Sequence, residues 1–304
     1  MLTTVLQSIG NTPLLQLSPL CSDLPGRVWL KLENCNPGGS IKDRVAFHMV
    51  DRALDRGDVL PGGTLVEATS GNLGIGLALV SAVRGLKCVL TMPETMSIER
   101  RRLLAALGAE VVLTPAADGM EGALKAAERL AAERGGIILG QFTNPWAVEA
   151  HYSTTGPEIF HDSVGTMQVL VAGVGSGSSI TGIGRYLKEN GTDVSVFAVE
   201  PAESPLLSGG KAGPHGIQGI GANFIPSILD RELLDGVLTV STEEALRTAR
   251  LLMRTCGVCA GISTGANVAA ALRVAARPAM RGRNIVTLAC DTGERYMSTE
   301  LFVK

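Results

Sequence analysis

The chain has 304 residues, of which 45% are hydrophobic and 18% charged, a balance typical of a compact globular protein of about two domains. Its formal net charge of −2 and an aromatic content of 4% give no basis for binding nucleic acid or an anionic membrane. The N-terminus has no basic region followed by an apolar core, and no apolar run reaches the length of a membrane span. We therefore expect a soluble cytoplasmic protein.

The first half of the chain alternates strand-like and helix-like segments. A strand in RVWLKLE precedes the amphipathic helix SIKDRVAFHMVDRALDRG, which Gly57 closes. The strand GTLVEAT leads into the apolar helix GNLGIGLALVSAVRG. Further strands are predicted in KCVLTM, AEVVLTP and GIILGQF, with helices in SIERRRLLAALG and GMEGALKAAERLAAERG between them.

The second half repeats this alternation, with strands in MQVLVAGVG, DVSVFAVEP, DGVLTVS and NIVTLAC. Helices are predicted in SSITGIGRYLKENG and in TEEALRTARLLMR, which a capping box of Ser241 and Glu244 opens. Runs of Val, Ile and Leu between helices are typical of parallel sheets covered on both faces. We therefore predict an α/β fold of two lobes that meet near residues 141–156, each a mostly parallel twisted sheet covered by helices. Ligands should bind at the carboxyl ends of the strands, in the cleft between the lobes.

Lys42, in ENCNPGGSIKDRVA, lies at the start of a predicted helix. The positive end of the helix dipole disfavours a cation at this place. The turn of residues 36–39 would bring the backbone close to a ligand, and Ser40 would cap the helix. The local sequence is consistent with an ordinary surface charge and with a reactive amine.

Two strand-to-helix junctions are rich in groups that bind anions. EATSGNLGIG, residues 67–76, suits a small carboxylate, although helix capping explains it equally well. VAGVGSGSSITG, residues 171–182, combines alternating glycines with hydroxyls at a helix start, which predicts a cradle for one terminal phosphate. It lacks the GK[ST] of a Walker loop, and Ser178 breaks the G-x-G-x-x-G spacing, so a nicotinamide oxidoreductase is disfavoured.

Two further junctions are CAGISTGANVAAAL, residues 259–272, and HGIQGIGANFIP, residues 215–226. Singly they fit helix capping and a surface loop. Combined with a lysine, a phosphate loop and a carboxylate loop, they indicate a Schiff base with a phosphorylated aldehyde, of which pyridoxal phosphate is the common one. No residues with metal-ligand spacing compete, so no metal is expected. The CxxC of Cys256 and Cys259 is interpreted as reduced structural thiols, with a redox role as the alternative.

The motifs NPGGSIKDR, TSGN, HYSTTGPEI, GVGSGSSITG and GPHGIQGIGANFIP, in this order, resemble the O-acetylserine sulfhydrylase (cysteine synthase) family. This family belongs to the fold-type II pyridoxal-phosphate enzymes, which include the tryptophan synthase β subunit and the cystathionine β-synthases. The resemblance extends from IGNTPLLQL to DTGERYMSTELF. It implies a smaller mobile lobe of residues 35–149 with 1–12, and a larger lobe of residues 150–304 with 13–34.

The resemblance also implies roles for individual residues. Lys42 matches the catalytic lysine that forms the Schiff base with the cofactor, Asn72 the asparagine that bonds the ring oxygen, and Ser263 the serine facing the ring nitrogen. The phosphate would be bound by Gly175, Ser176, Gly177, Ser178 and Ser179. The amino-acid substrate would be bound by Thr69, Ser70, Asn72, Leu73, Gln141 and Gly219.

Leu73 stands where the family usually has threonine, and Ser178 stands where glycine is common. The threonine helps to hold the substrate α-carboxylate, so Leu73 affects the expected amino-acid contact, although its backbone N–H is retained. Asn223, in the loop of residues 215–226, occupies a position that varies among relatives.

The implied reaction is a β-replacement that makes L-cysteine from O-acetyl-L-serine and sulfide through an aminoacrylate. The alternative is a cystathionine β-synthase-like or serine-using enzyme with another thiol acceptor, and a serine or threonine dehydratase fits the motifs less well. The resemblance further implies a homodimer that can bind the C-terminal tail of serine acetyltransferase. A purely regulatory subunit is disfavoured because the catalytic positions are intact.

Overall fold

The structure, a computed structural model, describes residues 1–69, 71–191 and 193–302. The strands in chain order are β1 (Leu14–Gln16), β2 (Arg27–Lys31), β3 (Thr64–Ala68), β4 (Lys87–Pro93), β5 (Glu110–Thr114), β6 (Ile137–Ile138), β7 (Met167–Gly173), β8 (Ser195–Pro201), β9 (Gly236–Val240) and β10 (Asn284–Leu288). The α-helices are α1 (Ser18–Cys21), α2 (Lys42–Arg56), α3 (Asn72–Arg84), α4 (Ile98–Ala106), α5 (Gly119–Arg134), α6 (Trp146–Ala150), α7 (Gly156–Asp162), α8 (Ser178–Asn190), α9 (Thr242–Cys256) and α10 (Ile262–Ala275). A π-helical turn, His151–Thr155, joins α6 to α7.

The chain divides into two compact units. The first consists of Met1–Ile9 and Asn36–Ala147, and the second of Gly10–Cys35 and Val148–Lys304. The chain therefore begins in the first unit, crosses into the second, goes back to build most of the first, and then returns to the second.

The sheet of the first unit is parallel throughout, in the order β5-β4-β3-β6. All five residues of β3 are buried, as expected for a strand covered on both faces. On one face Val66 and Val89 pack against Ala123, Ala127 and Leu130 of α5. The carboxyl ends of β3 and β6 therefore lie at one edge of this sheet, which carries the loops of the first unit's candidate site.

The second unit contains a six-stranded sheet in the order β1-β2-β10-β7-β8-β9. Only the short β1 runs antiparallel to its neighbour, and the pairings from β2 to β9 are parallel. The apolar helix α10 is buried along its length and packs with α9 and the strands into the main core. The predicted α/β fold of two mostly parallel, helix-covered sheets is confirmed.

Local signals in the sequence explain several element ends. Helix α2 stops at Gly57, which has the left-handed φ of 76° that glycine adopts without strain. Helix α9 begins after Ser241, whose side-chain oxygen accepts a hydrogen bond from the N–H of Glu244 at 3.1 Å. No described helix combines the length and the apolar character needed to cross a bilayer.

Candidate active site

The turn before Lys42 is fastened to the helix that follows it. The N–H of Gly39, at φ +76°, donates to the carbonyl of Asn36 at 2.7 Å. The N–H of Gly38 donates to the Asp43 carboxylate at 2.6 Å, and a Cβ at Gly38 would lie 2.5 Å from that carboxylate. The glycine is therefore required for this close approach, and the turn and the first turn of α2 form one unit.

Lys42 is the first residue of α2 and is half-buried. Its backbone N–H donates to the Ser40 hydroxyl at 3.2 Å. Ile41 directly precedes the helix and already has a helical conformation. The hydroxyl that accepts from the first-turn N–H therefore belongs to Ser40, one residue before the usual capping position.

The start of α3 lies beside Lys42. Helices α2 and α3 approach closely at Gly76, where a Cβ would be 3.1 Å from the carbonyl oxygen of Lys42 and 2.8 Å from the Cβ of Ala46. Asn72, the first residue of α3, is half-buried. The structure thus brings the predicted catalytic lysine and the predicted carboxylate loop together within the first unit.

The carboxylate loop itself continues from β3. The N–H of Thr69 donates to the carbonyl of Thr91 at 3.1 Å, and the Thr69 hydroxyl accepts from the N–H of Gly71 at 3.3 Å. Thr69 is buried, and Leu73 is only 1% exposed. The Leu73 side chain therefore packs in the interior, and its predicted substrate contact is restricted to the backbone at the helix start. Ser70, also predicted to bind substrate, lies outside the described residues.

Gln141 is half-buried and follows β6 at the same sheet edge. The two residues before it are held by a buried carboxylate, Glu67, which the sequence analysis did not single out. Its Oε2 accepts from the N–H groups of Leu139 and Gly140, at 3.1 Å each. A charged residue in GTLVEAT, a strand segment whose other residues are uncharged, was the signal that could have identified it.

The predicted phosphate loop forms a tight turn into α8. Ser176 and Ser178 are buried, with their hydroxyl oxygens 3.0 Å apart, whereas Ser179 is half-buried. Gly177 precedes the helix at φ +82°, and a Cβ there would lie 2.8 Å from the Cβ of Leu229. The N–H of Ser178, the first residue of α8, donates to the Ser176 hydroxyl at 3.4 Å. The start of α8 directs its first-turn N–H groups and its positive dipole end toward this loop, which suits an anion.

Gly219 connects the phosphate loop to Ser263. A Cβ at Gly175 would be 2.4 Å from the carbonyl oxygen of Gly219, and a Cβ at Gly219 would be 3.7 Å from the Ser263 hydroxyl. Gly219 has φ +98° and is exposed, while Ser263, on the first turn of α10, is 3% exposed. The phosphate loop, Gly219 and Ser263 therefore meet at one place in the second unit.

Asn267 is a second residue that the sequence analysis missed. It is fully buried on α10, and its Oδ1 accepts from the N–H of Gly173 at 2.8 Å, while its Nδ2 donates to the carbonyl of Leu288 at 2.9 Å. It thereby joins the helix that carries Ser263 to the strand that enters the phosphate loop. An asparagine in an apolar helix was its sequence signal.

The cysteines that the structure describes are all free thiols. Cys256 is the last residue of α9, and Cys259 lies in the segment between α9 and α10. Within the described ranges, no three His, Cys, Asp or Glu side chains are grouped in a way that could hold a metal ion.

Residues 5–291 match the profile of the family described as pyridoxal-phosphate dependent enzyme, and the chain belongs to this family. Pyridoxal phosphate is the cofactor of the family. Among curated relatives, cysteine synthase of Staphylococcus aureus (strain Mu50 / ATCC 700699) is 46% identical over 299 residues, which are 98% of this chain and 96% of the relative.

Two solved structures extend the comparison. The crystal structure of cysteine synthase from Entamoeba histolytica has a TM-score of 0.96 at 38% identity and covers 99% of this chain and 91% of its own. The O-acetylserine dependent cystathionine β-synthase of Helicobacter pylori has a TM-score of 0.93 at 36% identity and covers 100% of this chain and 99% of its own.

The residues present fit pyridoxal phosphate. A Cβ at Gly175 would collide with the carbonyl oxygen of Gly219, and a Cβ at Gly177 would collide with Leu229, so the tight conformation of this loop requires glycine at both positions. Two buried hydroxyls and a helix start supply donors for the anion. Ser263, which shares a neighbour with that loop, supplies a neutral hydroxyl.

Proposed function

We propose that this protein makes L-cysteine from O-acetyl-L-serine and sulfide by a pyridoxal-phosphate-dependent β-replacement. The observation that carries the proposal is the near full-length similarity to cysteine synthase of S. aureus, at 46% identity. The two residue clusters described above supply the groups that this chemistry requires.

The second unit would hold the cofactor. Its phosphate would be bound by backbone N–H groups and hydroxyls of residues 175–179, and Ser263 would face the ring nitrogen. Bound pyridoxal phosphate withdraws electrons from the substrate α-carbon, which allows the α-proton to be removed and acetate to leave from the β-carbon. Because Ser263 offers a neutral hydroxyl and not a carboxylate, it does not force a proton onto the ring nitrogen.

Lys42 is proposed as the catalytic base. Its amine would hold the cofactor aldehyde before substrate arrives, and would then remove the α-proton and return it at the end of the reaction. Its place as the first residue of α2 supports this role, since the helix dipole disfavours the charged ammonium and favours the neutral amine that a base needs.

The first unit would bind the amino-acid substrate. Thr69, Ser70, Asn72 and Gln141 offer hydroxyl and amide groups for the α-carboxylate, with the backbone N–H of Leu73 at the start of α3. Asn72 would also bond the ring oxygen of the cofactor. Gly219 would contact the substrate from the loop of residues 215–226, through its backbone.

The test is cysteine formation by the purified, cofactor-loaded protein from O-acetyl-L-serine and sulfide. Lys42→Ala should lose the visible absorption of the bound cofactor and lower kcat by roughly 10³-fold, within the range for loss of a general base. Lys125→Ala is the matched control, because Lys125 is an exposed lysine in the same unit that pairs with Glu121 at 2.7 Å. Wild-type absorption and activity in Lys42→Ala would refute the assignment.

A second candidate is cystathionine formation with homocysteine as the acceptor. It is favoured by the similarity to the O-acetylserine dependent cystathionine β-synthase of H. pylori along the whole chain. The two candidates separate when sulfide and homocysteine compete for the same O-acetyl-L-serine, and the ratio of their kcat/KM values identifies the preferred acceptor.

We also propose that the protein is a cytoplasmic homodimer whose first unit moves during turnover. The C-terminal tail of serine acetyltransferase is a further proposed ligand, expected to compete with O-acetyl-L-serine. Light scattering of the purified protein tests the dimer, and co-purification with and without O-acetyl-L-serine tests the tail.

A further inference from the structure

Glu67 is a carboxylate inside the sheet of the first unit. It is only 5% exposed, on a strand whose five residues are all buried. A buried carboxylate loses the favourable energy of hydration, so it is retained only where other polar groups compensate for it. Burial raises the pKa of Glu67, and hydrogen bonds from the backbone N–H groups of Gly140, Leu139 and Gln141 oppose that rise.

The Glu67 carboxylate accepts backbone hydrogen bonds at the point where the pairing of β6 with β3 ends. Strand β6 pairs with β3 only at Leu65 with Ile137 and at Val66 with Ile138. The next N–H groups along the chain, those of Leu139 and Gly140, donate to the Glu67 side chain and not to a strand carbonyl. The backbone can then turn away from the sheet, and Gly140 makes the turn at φ +69°.

Further bonds stiffen the turned segment. Asn144 donates through its Nδ2 to the carbonyl of Leu139 at 2.8 Å, and its backbone N–H donates to the carbonyl of Gly140 at 2.9 Å. Glu67 lies on β3, two residues before Thr69, which follows the strand. One side chain therefore fixes the distance between the Gln141 segment and Thr69.

We propose that Glu67 is a positioning residue, which holds Gln141 beside the loop of residues 69–73 and thereby sets the affinity for the substrate α-carboxylate. The inference rests on the proposed function, since it assumes that Gln141 and this loop bind an amino acid. Glu67 itself does not touch the substrate. Its effect is transmitted through the backbone of residues 139–141.

The test uses cofactor-loaded Glu67→Ala and Glu67→Gln. In Glu67→Ala, amide hydrogen exchange over residues 139–141 should accelerate, and KM for O-acetyl-L-serine should rise by roughly tenfold, the loss of one charge-assisted hydrogen bond. The kcat should stay within about threefold, because Lys42 is held by other contacts. Glu67→Gln keeps an acceptor oxygen at the same reach, so it should restore most of the affinity and carries the test if Glu67→Ala does not fold.

Glu200→Ala is the matched control. Glu200 is 2% exposed on β8 and likewise holds a loop, by accepting from the N–H groups of Leu207 and Ser208 at 2.7 and 2.9 Å. It should lower stability without raising KM for O-acetyl-L-serine. An equal rise in KM for both alanine variants would overturn the inference, because the effect would then follow from any lost loop contact.

Two other results separate this inference from the proposed function. The inference alone is overturned if the wild-type protein makes cysteine and Glu67→Ala shows faster amide exchange over residues 139–141 with an unchanged KM for O-acetyl-L-serine. A wild-type protein that binds pyridoxal phosphate but neither makes cysteine nor changes its spectrum with O-acetyl-L-serine overturns the proposed function, and the inference with it.

Discussion

Replacing Gly177 by alanine should weaken cofactor binding strongly. The residue has φ +82°, which costs an alanine roughly 1–2 kcal/mol. The new Cβ would lie 2.8 Å from the Cβ and 3.1 Å from the Cα of Leu229. Carbon atoms prefer about 3.5–4.0 Å, so the two segments must separate by roughly 0.5–1 Å, at about 1–3 kcal/mol for overpacking.

The neighbouring segment cannot yield freely. Leu229 is buried, and the next residue, Asp230, donates its backbone N–H to the Thr181 hydroxyl on α8 at 3.1 Å. The displacement therefore falls on the phosphate loop. We expect the Kd for pyridoxal phosphate, measured by absorbance titration of the apoprotein, to rise by at least roughly tenfold, which is about 1.4 kcal/mol.

Gly282→Ala isolates the backbone contribution. Gly282 also has a positive φ, +75°, but a Cβ there meets nothing within 4 Å. Its substitution should lower the urea midpoint slightly and leave the Kd for the cofactor unchanged. The reasoning would be refuted if Gly177→Ala bound pyridoxal phosphate as tightly as the wild type and lost no more stability than Gly282→Ala.

Three further predictions concern other buried residues. Leu73→Thr should lower the free energy of unfolding by about 2 kcal/mol, because it removes buried volume and adds an interior hydroxyl. Titration with the amino acid should show whether its affinity changes as well. An unchanged unfolding midpoint would contradict the burial of Leu73. Asn267→Leu should weaken cofactor binding and lower the free energy of unfolding by about 2–5 kcal/mol, since the N–H of Gly173 and the carbonyl of Leu288 lose their side-chain partner. Asn267→Asp keeps an acceptor for Gly173 and should bind the cofactor more tightly than Asn267→Leu. Equal Kd values for the two variants would argue against this role. Burial raises the pKa of Cys88 to about 12, so its reactive thiolate forms only well above neutral pH. A thiol reagent at pH 8 should therefore label the exposed Cys35 first. Labelling of Cys88 in the native protein would contradict its burial.

Long, buried elements of this fold were predictable from the sequence. Segments rich in Val, Ile, Leu and Ala predicted β3, β4, β7 and β8, because a parallel strand covered on both faces is buried along most of its length. Helix α2 was bounded by Gly57, whose left-handed conformation ends the helix as predicted.

Short elements were not predictable, because tertiary contacts decide them. Strand β1 has three half-buried residues and exists through its pairing with β2. The strand predicted in GIILGQF shrinks to the two residues of β6, since the Glu67 carboxylate binds the N–H groups that would have continued the ladder. The sequence carried no local sign of that contact, which joins residues 72 positions apart.

The candidate site shows the same division. Glycines and hydroxyls at helix starts predict anion sites from local sequence alone, and these sites stay predictions. The close approach of Gly175 to Gly219 depends on how two distant loops pack, and the interior position of Leu73 depends on the helices around it. Sequence patterns therefore indicated the chemistry of the loops but not the contacts that hold them at fixed distances.

The path of the chain through its two units constrains the order of events at the ribosome. Most of the first unit is one uninterrupted stretch, residues 36–147, and it can fold as soon as that stretch emerges. The second unit cannot close its sheet then, because β2 pairs with β10, which is made about 250 residues later. Throughout that interval β1 and β2 have an open edge, which makes the nascent chain most vulnerable to mispairing until the last strand is released.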